Sequence, residues 1–363
     1  MQLDKQSITQ LLDTVDRHFC QFILVGAKKS TASSLVSGSG HMLPDKDKQA
    51  LTSRLYKLVL LKLNQQLVPH RQANLAYPGI RENRAELLHI AQNFSTDWEK
   101  IFQLLKTDGQ IANSAIEVVM KLKAGGATSR PTLSQAARML GTERMVFLVP
   151  FVIFESYMKA QSEYFPQFHK YTWQYMASTA NSNWLLGVFK KVSSNHFYQN
   201  AFVPSLQLVS FVDMYQKSFE LARKGLADTL HSENKAREYS YVSGLTPDRN
   251  ILVNLVIKER LLPSDFYLGE PLKKEAFFIK EHHSGVWINL ASLINKMRII
   301  KDKELLTQVH FLLRSQPALD DDFTVTQASM THQDMVAVEP LLVPPRTKSL
   351  YAKLAELVTD TPD

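Results

Sequence analysis

Cysteine is almost absent: Cys20 is the single thiol in 363 residues. That excludes an internal disulfide framework and suits a reducing compartment. A lone thiol within an apolar helical pattern reads as core filling rather than as a nucleophile. Long apolar runs are missing too. The longest stretch, Met145 to Phe154, covers about ten residues and contains Pro150, about half of what a bilayer span needs. No basic patch followed by an apolar segment opens the sequence at Met1, Gln2, Leu3 and Asp4, so no secretory signal is expected. The protein is read as cytoplasmic, with no membrane partner.

Blocks of one charge sign are also lacking. The net charge is +7, yet no run of five Lys and Arg occurs, and aromatic residues are not interleaved with basic ones. Lys190-Lys191 and Lys273-Lys274 are isolated pairs of the kind found on solvated helix faces. Nucleic-acid binding therefore rests on overall charge alone. Catalytic signatures fail in turn. Gly38-Ser39-Gly40 lacks the lysine and the preceding strand of a phosphate loop, and no Gly-x-Ser-x-Gly or His-Glu-x-x-His occurs. His169 and His196 have no Cys or His at metal spacing, and His18 and Cys20, two residues apart, do not face each other on a helix. Asp320 to Asp322 lack the spacing of a calcium loop.

What is present is helical periodicity. Ile8, Leu11, Leu12, Val15 and Phe19 recur at helical spacing behind a capping box of Ser7 and Gln10. A Ser/Gly connector from Ser30 to Gly40 follows. Pro44 and Asp45 open a second helix through Leu51, Leu55, Leu58, Val59 and Leu63, and a boundary falls near Pro78. Thr96 with Glu99 caps a helix carrying Trp98, Ile101, Phe102 and Leu105. Asp108-Gly109 interrupts it, Ile111, Ala115, Ile116 and Val119 resume, and Gly125-Gly126 ends that run. Thr132 with Gln135 caps a short helix of Ala136, Ala137 and Leu140, closed by Gly141. Long helices are expected over 145–160, 168–191, 205–230, 249–261 and 286–313. Strand-like alternation and hairpin dipeptides are scarce, so the predicted fold class is all-α. Beyond Pro317 the periodicity fades into an acidic tail, expected to be partly disordered, with a short amphipathic helix at Leu350, Leu354, Leu357 and Val358.

The stretch from Phe94 to Val149 resembles the HDOD family, the degenerate relatives of HD-domain metal phosphohydrolases. Ser95 to Leu105 matches the family's capped helix, and Asp108 keeps its aspartate with Gly109 where proline is usual. Thr132, Leu133, Ala136, Leu140 and Gly141 match its Ser-Leu-x-x-Ala-x-x-x-Leu-Gly segment, while its Asn-Ser pair falls on Met120-Lys121. Further on, Trp173 to Ala180 is similar to the Trp-x-His-Ser helix, with Tyr175 and Met176 at His and Ser. Leu208-Val209 falls at the His-Asp step, Arg249 to Pro263 at a His-x-x-x-Gly helix ending in Leu-Pro, and His282-His283 at a His-His pair. The likeness covers roughly residues 80 to 315. It implies a helical bundle of the HD/HDOD type over 79–317, with a helical N-terminal extension over 1–78 and the acidic tail over 318–363.

Divalent-metal chemistry needs clustered imidazoles and carboxylates. The chain has no His-Asp dipeptide, and the matched positions carry Tyr175, Leu208, Val209 and Arg249 instead. Leucine and valine have no lone pair, and arginine stays protonated. Leu208, Phe211, Val212, Tyr215, Phe219, Ala222 and Leu226 form one apolar face built for packing. Trp98, Trp173, Trp184 and Trp287 read as core anchors. His282 and His283 point about 100° apart on a helix and rarely share a metal. No catalytic residue, metal ligand or cofactor is therefore assigned. The resemblance implies a non-catalytic module of bacterial signal transduction. It would act through protein–protein contacts with a signalling partner, or by holding a small anionic ligand in a vestigial cleft lined by Tyr175, Leu208, Arg249, His282 and His283. Arg249 could pair a phosphate or carboxylate there, or lie as a surface arginine at a helix start. The alternatives are a phosphohydrolase with a rearranged metal site and a nucleic-acid-binding regulator.

Overall fold

The computed structural model describes residues 5–25, 43–72, 82–92, 98–122, 130–158, 164–190, 202–258, 292–293, 295–305 and 307–308. Among the described residues all regular structure is helical. It comprises α1 (Lys5–Val25), α2 (Asp45–Gln72), α3 (Glu82–Gln92), α4 (Trp98–Thr107), α5 (Gly109–Leu122), α6 (Leu133–Leu140), α7 (Thr142–Met158), α8 (Phe168–Lys190), α9 (Phe202–Ser232), α10 (Ala236–Ser243) and α11 (Arg249–Lys258). Further helical turns run over 295–300 and 303–305.

Two long apolar helices organise the rest. α9 packs against α2, α7, α8, α10 and α11, and α7 gathers α3, α4, α5 and α6. The apolar face read along α9 is buried throughout: Leu208, Phe211, Val212, Tyr215, Phe219, Ala222 and Leu226. One continuous core draws residues from α1 and α2 as well as from α3 to α11. Pro150 lies inside α7. It has no N–H to offer the carbonyl one turn back, and burial on both sides holds the helix together around it.

Helix ends follow local chemistry. At α6 the Thr132 hydroxyl accepts from the Gln135 amide at 3.3 Å, and the Thr132 amide donates to Gln135 Oε1 at 2.7 Å. That is the expected capping box. Gly141 closes the helix at φ 85°, a backbone angle that side-chain-bearing residues rarely adopt. At the other end of the chain the expectation needs correcting. Ser7 lies within α1, which already begins at Lys5, because Lys5 and Gln6 are good helix formers and extend the first turn. α10 was not expected, since its residues Ala236 to Ser243 bury only Val242 and leave almost no apolar period to read. The helix ends expected at Thr96 and at Gly125-Gly126 lie outside the described residues.

Asp108 shows how a polar residue sets the frame. Its Oδ1 accepts from the amides of Gln110 at 3.1 Å and Ile111 at 3.3 Å, capping α5. Its Oδ2 receives Arg84 Nε at 2.8 Å. The Arg84 guanidinium, 2% exposed, also donates to Ser156 Oγ and Gln110 Oε1, each at 3.1 Å, and lies 4.7 Å from the Tyr157 ring centroid. One cation thus ties α3, the start of α5 and α7 together. Burial pushes the Asp108 carboxyl up, but the Arg84 hydrogen bond and charge, with the two amides, hold it below the usual carboxylate value.

A carboxylate depressed in the folded state stabilises the fold above its unfolded pKa, near 3.9, and the contribution is lost as pH falls through the folded value. Asp108→Ala leaves a buried guanidinium unpaired and should cost about 3–5 kcal/mol in urea unfolding. Asp108→Asn should lower stability at pH 7 and flatten its dependence on pH below about 4. Equal acid limbs for the two chains would show that the pairing contributes nothing.

Candidate functional site

Three of the five expected site residues fall in described helices; His282 and His283 lie outside the described residues. Leu208 is wholly buried in α9, two turns before Tyr215, whose hydroxyl donates to the Asp248 carbonyl at 3.0 Å. Tyr175 is wholly buried in α8. Its ring meets Phe19 of α1 at 4.9 Å between centroids, and its hydroxyl shares a hydrogen bond with that of Ser292. Arg249 opens α11 half-buried, donating Nη2 to the Tyr164 carbonyl at 3.0 Å and Nη1 to the Val25 carbonyl at 3.4 Å. A guanidinium at the C-terminal end of α1 satisfies a carbonyl left over by the helix and sits favourably against its dipole.

Tyr175 and Arg249 therefore meet one helix, α1, at Phe19 and Val25. These lie six residues, or about 9 Å, apart along its axis. Leu208 joins the apolar face of α9. At the three described positions the side chains are engaged in packing and in hydrogen bonds to backbone carbonyls or to the Ser292 hydroxyl.

The polar centre of this region lies beside Tyr175, and no sequence motif marked it. Lys296, in the turns over 295–300, points its ammonium at Asp16 Oδ1 of α1, 2.7 Å away. Lys296 is 0% exposed and Asp16 7%. Burial works against the ammonium, but the charge of Asp16, then the Tyr175 hydroxyl and the Asp16 hydrogen bond, more than offset it and hold Lys296 above the ordinary lysine value. A lysine raised in this way keeps its contribution below the unfolded pKa and loses it as pH rises through the folded value, so Lys296 stays charged at neutral pH. Cys20 shares the cluster. Burial and then the Asp16 carboxylate push its thiol far above the usual range, which makes it inert as a nucleophile.

Around this pair α8 presents a polar face: Thr172, Tyr175, Thr179 and Ser182 recur every three or four residues. Asn295 donates Nδ2 to Ser182 Oγ at 3.0 Å, and Ser182 donates onward to the Ser178 carbonyl at 2.8 Å. The hydroxyls of Thr172, Ser178 and Thr179 are buried without a hydrogen-bond partner among the described residues. The arrangement can fix the register of three elements and hold a charge pair dry. Among the described residues no group of three His, Cys, Asp or Glu is set to hold a metal.

No family model, curated protein or solved structure matches the chain.

Of the tryptophans, Trp173 packs half-buried against Phe151 and Phe154, and Trp98 against Phe102. Both pack, partly buried, against the core. Trp184 and Trp287 have no described side chain.

Two substitutions separate packing from ligand holding. Leu208→Ala should cost about 2–5 kcal/mol through the cavity it leaves. Arg249→Ala should cost about 1.5–3 kcal/mol through two lost charge-assisted bonds to backbone carbonyls. Urea unfolding of each variant reads both. An unchanged midpoint for Arg249→Ala would detach the guanidinium from the frame and return it to the pool of ligand-binding candidates.

Proposed function

We propose that the chain is a non-catalytic regulatory module, related to the HDOD family, that acts through protein–protein contacts in bacterial signal transduction. The observation supporting this most directly is the use made of the three described positions where an HD-type enzyme would carry metal ligands. Tyr175 and Leu208 are wholly buried, and Arg249 holds two backbone carbonyls. A hydrolase of that type needs imidazoles and carboxylates converging on an open coordination position. A buried phenol, an aliphatic side chain and a guanidinium supply none of these.

Function by contact also agrees with the division of the sequence into a basic stretch and an acidic one. The family reading itself rests on the residues between Phe94 and Val149.

The test is made on the purified full chain. Metal analysis should find no stoichiometric manganese, iron or zinc, and phosphatase and phosphodiesterase assays should show no turnover above the buffer rate. A pull-down from the native host should retain a signalling protein. Bound metal at one equivalent or more together with turnover would replace this reading with a phosphohydrolase of rearranged site. Binding to duplex DNA that falls steeply with salt would replace it with a nucleic-acid regulator.

A further inference from the structure

The outer face of α9 carries a pattern that its packing inside the chain does not use. Opposite the buried stripe of Tyr215, Phe219, Ala222, Leu226 and Leu230, the exposed positions include Lys217, Leu221, Lys224, Gly225 and Asp228. Their spacing of three and four residues places them on one strip, about 16 Å long. Leu221 is 55% exposed. One leucine in water is ordinary, so its neighbours decide what it means.

Gly225, one turn further on, is the first of them. It lies inside the 31-residue α9, its backbone angle is one that any residue adopts, and a Cβ built on it would meet nothing within 4 Å. A glycine inside a helix costs stability relative to alanine, and neither crowding nor strain within the chain calls for one here. What the missing side chain does provide is close approach from outside. Charge is the second observation. Lys217 lies one turn before Leu221, and Asp228 lies almost one turn after Gly225, so the strip has an ammonium at one end and a carboxylate at the other. Lys217 meets Asp213 on its own helix, while Lys224 and Asp228 form no ion pair among the described residues.

We infer that this face is an interface between two copies of the chain, with α9 packed antiparallel on α9 of the partner about a two-fold axis. Such an interface is isologous, so each contact occurs twice. Matching Lys217 to the partner's Asp228 puts the axis midway between Ala222 and Arg223. Matching Leu221 to the partner's Gly225 puts it at Arg223, half a residue or about 0.8 Å away. One register therefore satisfies both: each leucine enters the notch over the other glycine, and an ion pair closes each end. The methylene stem of Lys224 covers the partner's Leu221 while its ammonium stays in water. Charge complementarity makes the occupant a second copy, because a wholly acidic helix would set like charge against Asp228 and a wholly basic one against Lys217 and Lys224. A strip this short makes a weak, reversible dimer. The inference is independent of the regulatory reading, since it uses none of the family-matched positions.

Sedimentation equilibrium of the full chain from about 5 to 500 µM should show a monomer–dimer equilibrium with a Kd of about 10–100 µM. Leu221→Lys should weaken association at least about tenfold. Lys217→Glu and Asp228→Lys should each weaken it at least about fivefold by setting like charges opposite one another. The chain carrying both reversals should return to within about twofold of wild type, because the pairs re-form with opposite sign. Gly225→Ala separates the interface from the fold. It should raise the urea midpoint, since alanine favours the helix, and yet weaken association at least about threefold by filling the notch. A monomer throughout the range overturns the inference, as does a dimer that tolerates Leu221→Lys, which would place the contact on another face. So do a double reversal no better than the single ones and a Gly225→Ala chain that associates like wild type. Every variant should keep the wild-type circular dichroism, because all four positions face water; loss of the fold at any of them overturns the exposed strip itself. Metal-dependent turnover would sink the regulatory reading and leave these outcomes unaffected.

Discussion

A lysine ammonium and an aspartate carboxylate, both out of water, join α1 to the helical turns over 295–300. Lys296 and Asp16 lie 280 residues apart in sequence, and each lowers the cost of burying the other. Taking either charge into the interior alone costs several kcal/mol, of order 20 kcal/mol in the Born limit. The position of α1 on α8 and α11 is therefore fixed by a partner it must find, and the apolar anchors around Phe19 follow that register. Tyr175, Ser292, Asn295 and Ser182 extend the same polar layer across three elements.

A second buried cation plays the matching part in the other half of the fold. Arg84 spends its fork on Asp108, Ser156 and Gln110 and joins three helices whose apolar faces alone would slide. Arg223 does likewise nearer the surface, donating to the carbonyls of Ser243, which ends α10, and of Leu245 just beyond it. The molecule is thus an apolar bundle whose angles are set by a few guanidinium and ammonium groups. In that setting Arg249, read in sequence as a candidate anion holder, belongs to the same class of backbone clamps.

How much of this could be read beforehand depended on the range of the interaction. The Thr132 box, the Gly141 stop and the apolar face of α9 are local: residues within four positions of each other decide them, so a single sequence shows them. The interruption at Asp108-Gly109 was legible as a break, and the fold shows it to be an N-cap. Asp16, Arg84 and Lys296 gave no signal. Each is a charged residue in an amphipathic helix, where the ordinary position is the solvated face, and only a partner 24 or 280 residues away turns it inward. The motif positions of the resemblance point to Tyr175 and Leu208 as cleft residues, and both are wholly buried. Their apolar surroundings had marked Leu208 as core from periodicity alone, which is the physically stronger signal.

The coupling free energy between Asp16 and Lys296, from a double-mutant cycle of Asp16→Asn and Lys296→Met in urea unfolding at pH 7, tests the central claim most directly. A pair that holds α1 in register predicts a coupling of about 2 kcal/mol or more, with the double variant closer to wild type than either single one. Additive effects, with coupling below about 0.5 kcal/mol, would contradict it by showing that the charge pair does not hold α1.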